Sequence, residues 1–159
     1  FKLQKHIGSQ NLSNSNPSLD LANFLSDIPL IYYPYGLQSS AIRFKSSIQE
    51  NAKTHAIIED VVEASHNGIV AWEKPSIIQP ILLRGDKDFI KTSERFEIIK
   101  AFFIKNDIEF KEINSISGNI LTKLITLTYL LDYTSIYRAI LSEIDPSPVS
   151  SIDFIKSNI

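Results

Sequence analysis

An α/β chain of three layers, with an open parallel sheet held between helices, is what the order of apolar patterns predicts. Short apolar runs of strand character alternate with longer runs of helical period, as parallel sheets with crossover helices require. "IPLIYY", Ile28 to Tyr33, is stopped by Pro34 and Gly36 and passes at once into a helical pattern, which is half of a βαβ unit. A long apolar run from Ile120 to Leu141 adds an extended buried helix near the C-terminus.

The elements follow in order. Residues 1–16, with the Ser- and Asn-rich "GSQNLSNSNPSL" at 8–19, read as a linker or arm before a domain over 17–159. Pro17 suits the first turn of a short helix to about Phe24, capped by Ser15 or Asn16. After the first strand, Leu37, Ala41, Phe44, Ile48 and Ala52 recur at helical spacing, and Arg43, Ser47 and Glu50 share another face. An irregular helical segment comes next. "PILLRG", Pro80 to Gly85, reads as a second strand, Thr92 to Asn106 as an amphipathic helix and "IEFKEI", Ile108 to Ile113, as a third strand. Ser117 is placed to cap the long helix, which is apolar on nearly every side, and a terminal helix starts near Pro148.

Composition removes several classes of function. At 159 residues the chain fits one domain able to bury a core without staples. Sixteen basic against eighteen acidic residues give a net charge of -2, with no basic face for nucleic acid. The chain has no Cys, which excludes disulfides, thiolate zinc sites and a thiol nucleophile and suits a cytoplasmic setting. Lys123, Asp132 and Arg138 interrupt the long apolar run, and each would cost roughly 2.5 to 3.5 kcal/mol at a bilayer centre, so no membrane span is expected. No signal pattern stands at the start, and Phe1 in a chain without Met suggests a segment of a longer polypeptide.

Three residues are candidates for chemistry. Glu50 ends the first long helix; it is either solvated surface or, if buried, a carboxylate lifted toward the operating pH of a general base. His66 lies in the polar break "SHNG", where a functional loop would sit, although a lone His is more simply structural or exposed. Lys156 stands in the last turn of the terminal helix, where a Lys ordinarily complements the dipole. His6, His55 and His66 have no metal-ligand spacing, and the five glycines form no phosphate loop.

Taken in order, "IPLIYYPYG", "AIRFKSSIQENAK", "EASHNGIVAWE", "ILLRGD" and "LTYLLDYTSIYRAILSEIDPSPVSSIDFIK" resemble the C-terminal half of the prokaryotic bifunctional phosphoglucose/phosphomannose isomerases, of the sugar isomerase (SIS) superfamily. The resemblance implies an SIS-type sheet and interconversion of glucose or mannose 6-phosphate with fructose 6-phosphate. It implies Glu50 as isomerisation base, His66 as a ring-opening residue donated across a homodimer interface, Lys156 as an aid to ring opening and binding, and Arg43 and Asn67 as substrate-binding residues. It further implies an N-terminal SIS domain that carries the main phosphate grip, so that this chain alone is incomplete, and a chemistry without metal or organic cofactor. Three positions depart from the pattern: Gly68 stands where Glu is usual, Gln49 where Asn is usual, and Val62 where Pro is usual. The other reading is an SIS domain that binds sugar phosphates, or regulates, without catalysis.

Overall fold

In a computed structural model that describes residues 2–13 and 15–159, the chain forms four parallel strands in the order β2-β1-β3-β4. Phe1 and Asn14, both within the expected arm, lie outside the described residues. The elements are α1 (Lys2–Ile7), α2 (Pro17–Phe24), β1 (Ile28–Tyr33), α3 (Gln38–Asn51), β2 (Ile57–Asp60), α4 (Val61–Ala64), β3 (Ile78–Arg84), α5 (Ile90–Lys105), β4 (Lys111–Asn114), α6 (Ile120–Leu141) and α7 (Ser150–Ser157). Side chains alternate across the sheet, as the pleat demands. Ile31, Tyr33, Ile81 and Leu83 point into one core with α2, α3 and α6, whereas Tyr32 and Leu82 point into the other with Phe96, Ile99 and Phe103 of α5. Helices on both faces of a parallel sheet make the three-layer α/β architecture that the sequence predicts.

Several expectations hold closely. β1 spans Ile28–Tyr33, and α2 begins at Pro17 with the Asn16 side chain accepting from the amides of Ser18 and Leu19. Others need correction. The stretch read as an arm carries α1, and Ile7 is fully buried. The Ile7 carbonyl accepts from the Tyr137 hydroxyl at 2.7 Å and from Asn16 Nδ2 at 3.1 Å, which docks α1 onto the domain. β2 falls in the segment read as irregular helix; it is an edge strand of four residues, too short for a period to show. β4 starts at Lys111, where pairing with Ile81 begins, while Ile108 and Phe110 pack on the second core instead of joining the ladder.

The cap of α6 is Asn119, whose Oδ1 accepts from Thr122 N at 2.9 Å, and not Ser117. Gly118, at φ 152°, supplies the turn before it, in a backbone region that side chains avoid. α6 is also buried on one side only. Leu127, Leu130, Leu131 and Thr134 face the core, while a row of apolar residues faces outward. α7 starts at Ser150 and has no buried residue.

Candidate active site

The last turns of α3 carry two faces with different tasks. On one, Arg43 holds Asp132 of α6 through Nε and Nη2 at 3.1 Å, Ser47 Oγ donates to Asp132 Oδ1 at 2.6 Å, and Asn51 Nδ2 donates to Ser135 Oγ at 2.7 Å. These contacts recur at every fourth residue, so one side of α3 is stitched to α6 along its length. On the adjoining side, Ser46, Gln49, Glu50 and Lys53 line a cleft of about 570 Å³ whose other wall is Pro148–Ile152, where α7 begins.

Lys53 closes the floor of that cleft. The residue just past the end of α3, it takes a left-handed turn at φ 55°, a conformation that costs a non-Gly residue roughly 1–2 kcal/mol. Its ammonium offsets that cost by donating to the carbonyls of Glu50 at 2.6 Å, Pro148 at 2.7 Å and Pro146 at 3.3 Å. A cation on the last carbonyls of a helix is favoured by the dipole, and here it also ties α3 to the loop that opens α7. Glu50 is thereby held on the cleft wall, exposed to solvent.

His66 is elsewhere. α3 leaves the C-terminal end of β1 and returns the chain to the start of β2, so Glu50 stands at one end of the sheet and His66, just past α4, at the other. The four residues of β2 alone separate the two ends by about 13 Å. His66 and Asn67 are exposed, and among the described residues the imidazole makes no hydrogen bond. Their loop is anchored behind them by Trp72, whose Nε1 donates to the Tyr32 hydroxyl at 2.8 Å inside the second core. Burial, outweighing the Trp72 contact, pushes the Tyr32 phenol up to about 12. Lys156 is exposed on α7 and is not on the cleft wall; six residues of helix, about 9 Å, separate it from Ser150 at the cleft.

Gly68 lies against the flexible end of the Glu59 side chain. A β-carbon there would lie 2.5 Å from the carboxylate oxygens of Glu59 on β2. Burial first, and Glu63 second, push the Glu59 carboxyl above its usual range, so an acidic side chain at residue 68 would add a like charge where charge is already disfavoured. Because the folded chain holds this proton to higher pH than the unfolded chain does, stability falls as pH rises from the ordinary carboxylate range through the raised value, and the penalty is constant above it. Glu59→Gln is therefore expected to raise the thermal midpoint at pH 7 to 8, with the gain vanishing below about pH 4. Melts across that range check it; an unchanged midpoint at pH 7 would count against the assignment.

Sequence reasoning singled out Glu50 and passed over Lys53, which holds the Glu50 carbonyl, and Asp132, which holds α3 to α6 through Arg43 and Ser47. Their signal was faint: a Lys three residues past a Glu, and one acidic residue in an apolar run. Among the described residues no three His, Asp or Glu side chains converge as a metal site, and no helix is long and apolar enough to cross a membrane.

Comparison with known proteins adds the ancestry. The bifunctional phosphoglucose/phosphomannose isomerase of Caldicellulosiruptor bescii is 33% identical over 138 residues, which cover 83% of this chain and 40% of that protein. The protein of the same name from Aquifex aeolicus is 27% identical over 135 residues, covering 83% and 42%. This chain thus spans about two-fifths of the length of these curated relatives. The crystal structure of a glucose-6-phosphate isomerase like protein from Thermus thermophilus superposes with a TM-score of 0.74 at 21% identity, over 91% of this chain and 50% of that one, which shows a shared fold. Residues 14–159 match the family model of the bacterial phospho-glucose isomerase C-terminal SIS domain, and the chain belongs to that family.

Proposed function

We propose that this chain is the C-terminal domain of an aldose-ketose isomerase that interconverts glucose 6-phosphate or mannose 6-phosphate with fructose 6-phosphate, with Glu50 as the base. The placement of Glu50 on a cleft wall, braced from below by Lys53, carries the reading in a chain of this family. In the open-chain sugar, Glu50 takes the proton from C2 of the aldose, leaving a planar enediolate with its negative charge on O1; a proton passes from O2 to O1, and the Glu50 carboxylic acid returns its proton to C1, giving the ketose. One carboxylate on one side of that plane serves both directions, and the two C2 epimers converge on the same intermediate.

Ring opening needs a separate proton carrier, a task suited to a side chain that both gives and takes a proton, as imidazoles do in general acid–base catalysis. His66 fills it from a second copy of the chain, a role favoured by its position at the far end of the sheet from its own Glu50. Lys156 balances negative charge on the enediolate, Arg43 contacts substrate while sharing its guanidinium with Asp132, and Asn67 contacts it from the second copy together with its neighbour His66. α7 is seated by no core contact of its own, so Lys156 reaches its place when the neighbouring domain or copy covers the cleft. The enediol route requires neither metal nor organic cofactor, and the cysteine-free composition favours the cytoplasm.

A non-catalytic sugar-phosphate-binding domain is the second reading, favoured by Gly68, Gln49 and the exposure of Glu50. Glucose 6-phosphate incubated in deuterated water with the full-length gene product separates the two. The isomerase exchanges the C2 hydrogen for deuterium; if that hydrogen is fully retained while the sugar binds, the binding domain is the better description.

A further inference from the structure

The outward face of α6 carries a row of apolar residues along its length, broken once by the half-buried Asp132. Leu121, Ile125, Tyr129, Ile136 and Ile140, at spacings of four, four, seven and four, are 62%, 59%, 37%, 42% and 61% exposed. At 100° per residue they fall within about 100° of helix circumference, opposite the Leu127, Leu131 and Thr134 side that enters the core. The stripe runs about 29 Å, and beside it Leu124, Ile125, Thr128, Tyr129 and Asp132 line a groove of about 280 Å³. Water-facing helices carry polar residues on this side, so an apolar stripe broken by a single charged residue marks a surface that is covered in the working protein.

We infer that the outward face of α6 is where the preceding domain of the longer polypeptide packs. The inference rests on the reading of this chain as a C-terminal domain. Two observations choose this occupant over a second copy. The chain matches only about two-fifths of its curated relatives and half of the Thermus thermophilus protein, and its family is named for a C-terminal domain, so proteins of this kind carry a further folded mass on the same chain. Size points the same way. A helix face 29 Å long and about 10 Å wide buries on the order of 300 Å² a side, near the 600 Å² lower bound of interfaces between domains of one chain and well short of the roughly 1,200 Å² of a stable dimer. Tethering also removes the loss of translational freedom that a free partner would have to overcome. The Arg43–Asp132 pair at mid-stripe, with the Arg43 side chain 57% exposed, gives the incoming surface one fixed polar feature to register against.

A photo-crosslinking phenylalanine analogue at Thr128, in the groove, reads the occupant directly in the full-length gene product. Links to residues upstream of Phe1 within the same polypeptide are expected, with isotope-mixed protein showing them to be intramolecular. Links between copies, no links above a control placed at the exposed Lys105, or a gene with nothing encoded upstream of Phe1 would each overturn the proposal. Ile125→Glu with Ile136→Glu supplies a second readout. Because both positions are exposed, the substitutions should leave exchange in the buried strands β1 and β3 unchanged, while calorimetry of the full-length variant should split into two transitions and deuterium exchange along α6 should rise severalfold. A single transition with unchanged exchange would overturn it. Neither measurement involves turnover, so its outcome is independent of whether Glu50 is a base.

Discussion

Glu50→Gln is expected to lower isomerisation of fructose 6-phosphate by the full-length gene product on the order of 10²- to 10⁴-fold, the contribution typical of a positioned general base. The amide keeps the length and polarity of the side chain on the cleft wall but cannot accept a carbon-bound proton. The loss should fall on kcat far more than on KM, because a group that acts in the transition state contributes little to ground-state binding. Lys53 keeps its bond to the backbone carbonyl of residue 50, so the cleft should survive the change. A variant retaining near wild-type turnover would end the proposed mechanism. The same variant tests where His66 acts. If His66 serves the neighbouring copy, mixing Glu50→Gln with His66→Ala subunits creates a site that has both intact residues, and part of the activity returns. If both residues act within one copy, every site in the mixture stays defective and nothing returns.

Arg84→Met is expected to destabilise the fold by about 3–5 kcal/mol, the usual cost of removing one partner from a buried ion pair. Arg84 ends β3 almost wholly buried, with Nε 3.2 Å from Asp88 Oδ2, Nη1 2.9 Å from Glu97 Oε1, Nη2 3.0 Å from Ser93 Oγ and its guanidinium carbon 4.6 Å from the centre of the Phe96 ring. The pairs with the exposed Glu97 contribute little, as water screens them. Asp88 is the costly partner: it is as buried as Arg84, and its other oxygen accepts from Gly85 N at 3.0 Å in the turn to α5. Without Arg84, a charge sits in a dry turn uncompensated. Arg84→Met with Asp88→Asn should recover part of the loss by removing that charge, and urea unfolding of the two variants checks both claims. A single-variant loss below about 1 kcal/mol would mean that the buried pair nearly cancels its own desolvation.

How much of this was legible in the sequence depended on whether the signal was local. α2, β1 and α3 were placed from Pro17, from "IPLIYY" and from the apolar spacing after Pro34, since caps, strand runs and helical period reside in neighbouring residues. β2 was not legible, because "IIED" offers two apolar residues and becomes a strand only by pairing Leu30 to Tyr33 with Ile57 to Asp60. α1 was hidden for a similar reason: its docking depends on Tyr137, 130 residues away, donating to the Ile7 carbonyl. The apolar character of α6 was read correctly and its meaning was not. Composition reports how apolar a helix is, but only the placement of α2, α3 and the sheet decides which side they cover.

The candidate site divides along the same line. Sequence alone determined the α/β class, the family through motifs in a set order, and Glu50 and His66 as the residues to examine. Tertiary structure decided that Glu50 faces a cleft while Arg43, Ser47 and Asn51 are engaged with α6, because which side of a helix meets a neighbour is set by packing at long range. It decided too that Glu50 and His66, sixteen positions apart in the chain, stand at opposite ends of the sheet, since a parallel crossover returns the chain to the starting edge before the next strand carries it across. Closeness along the sequence says how far apart two residues can be; the direction of the strand between them says how far apart they are.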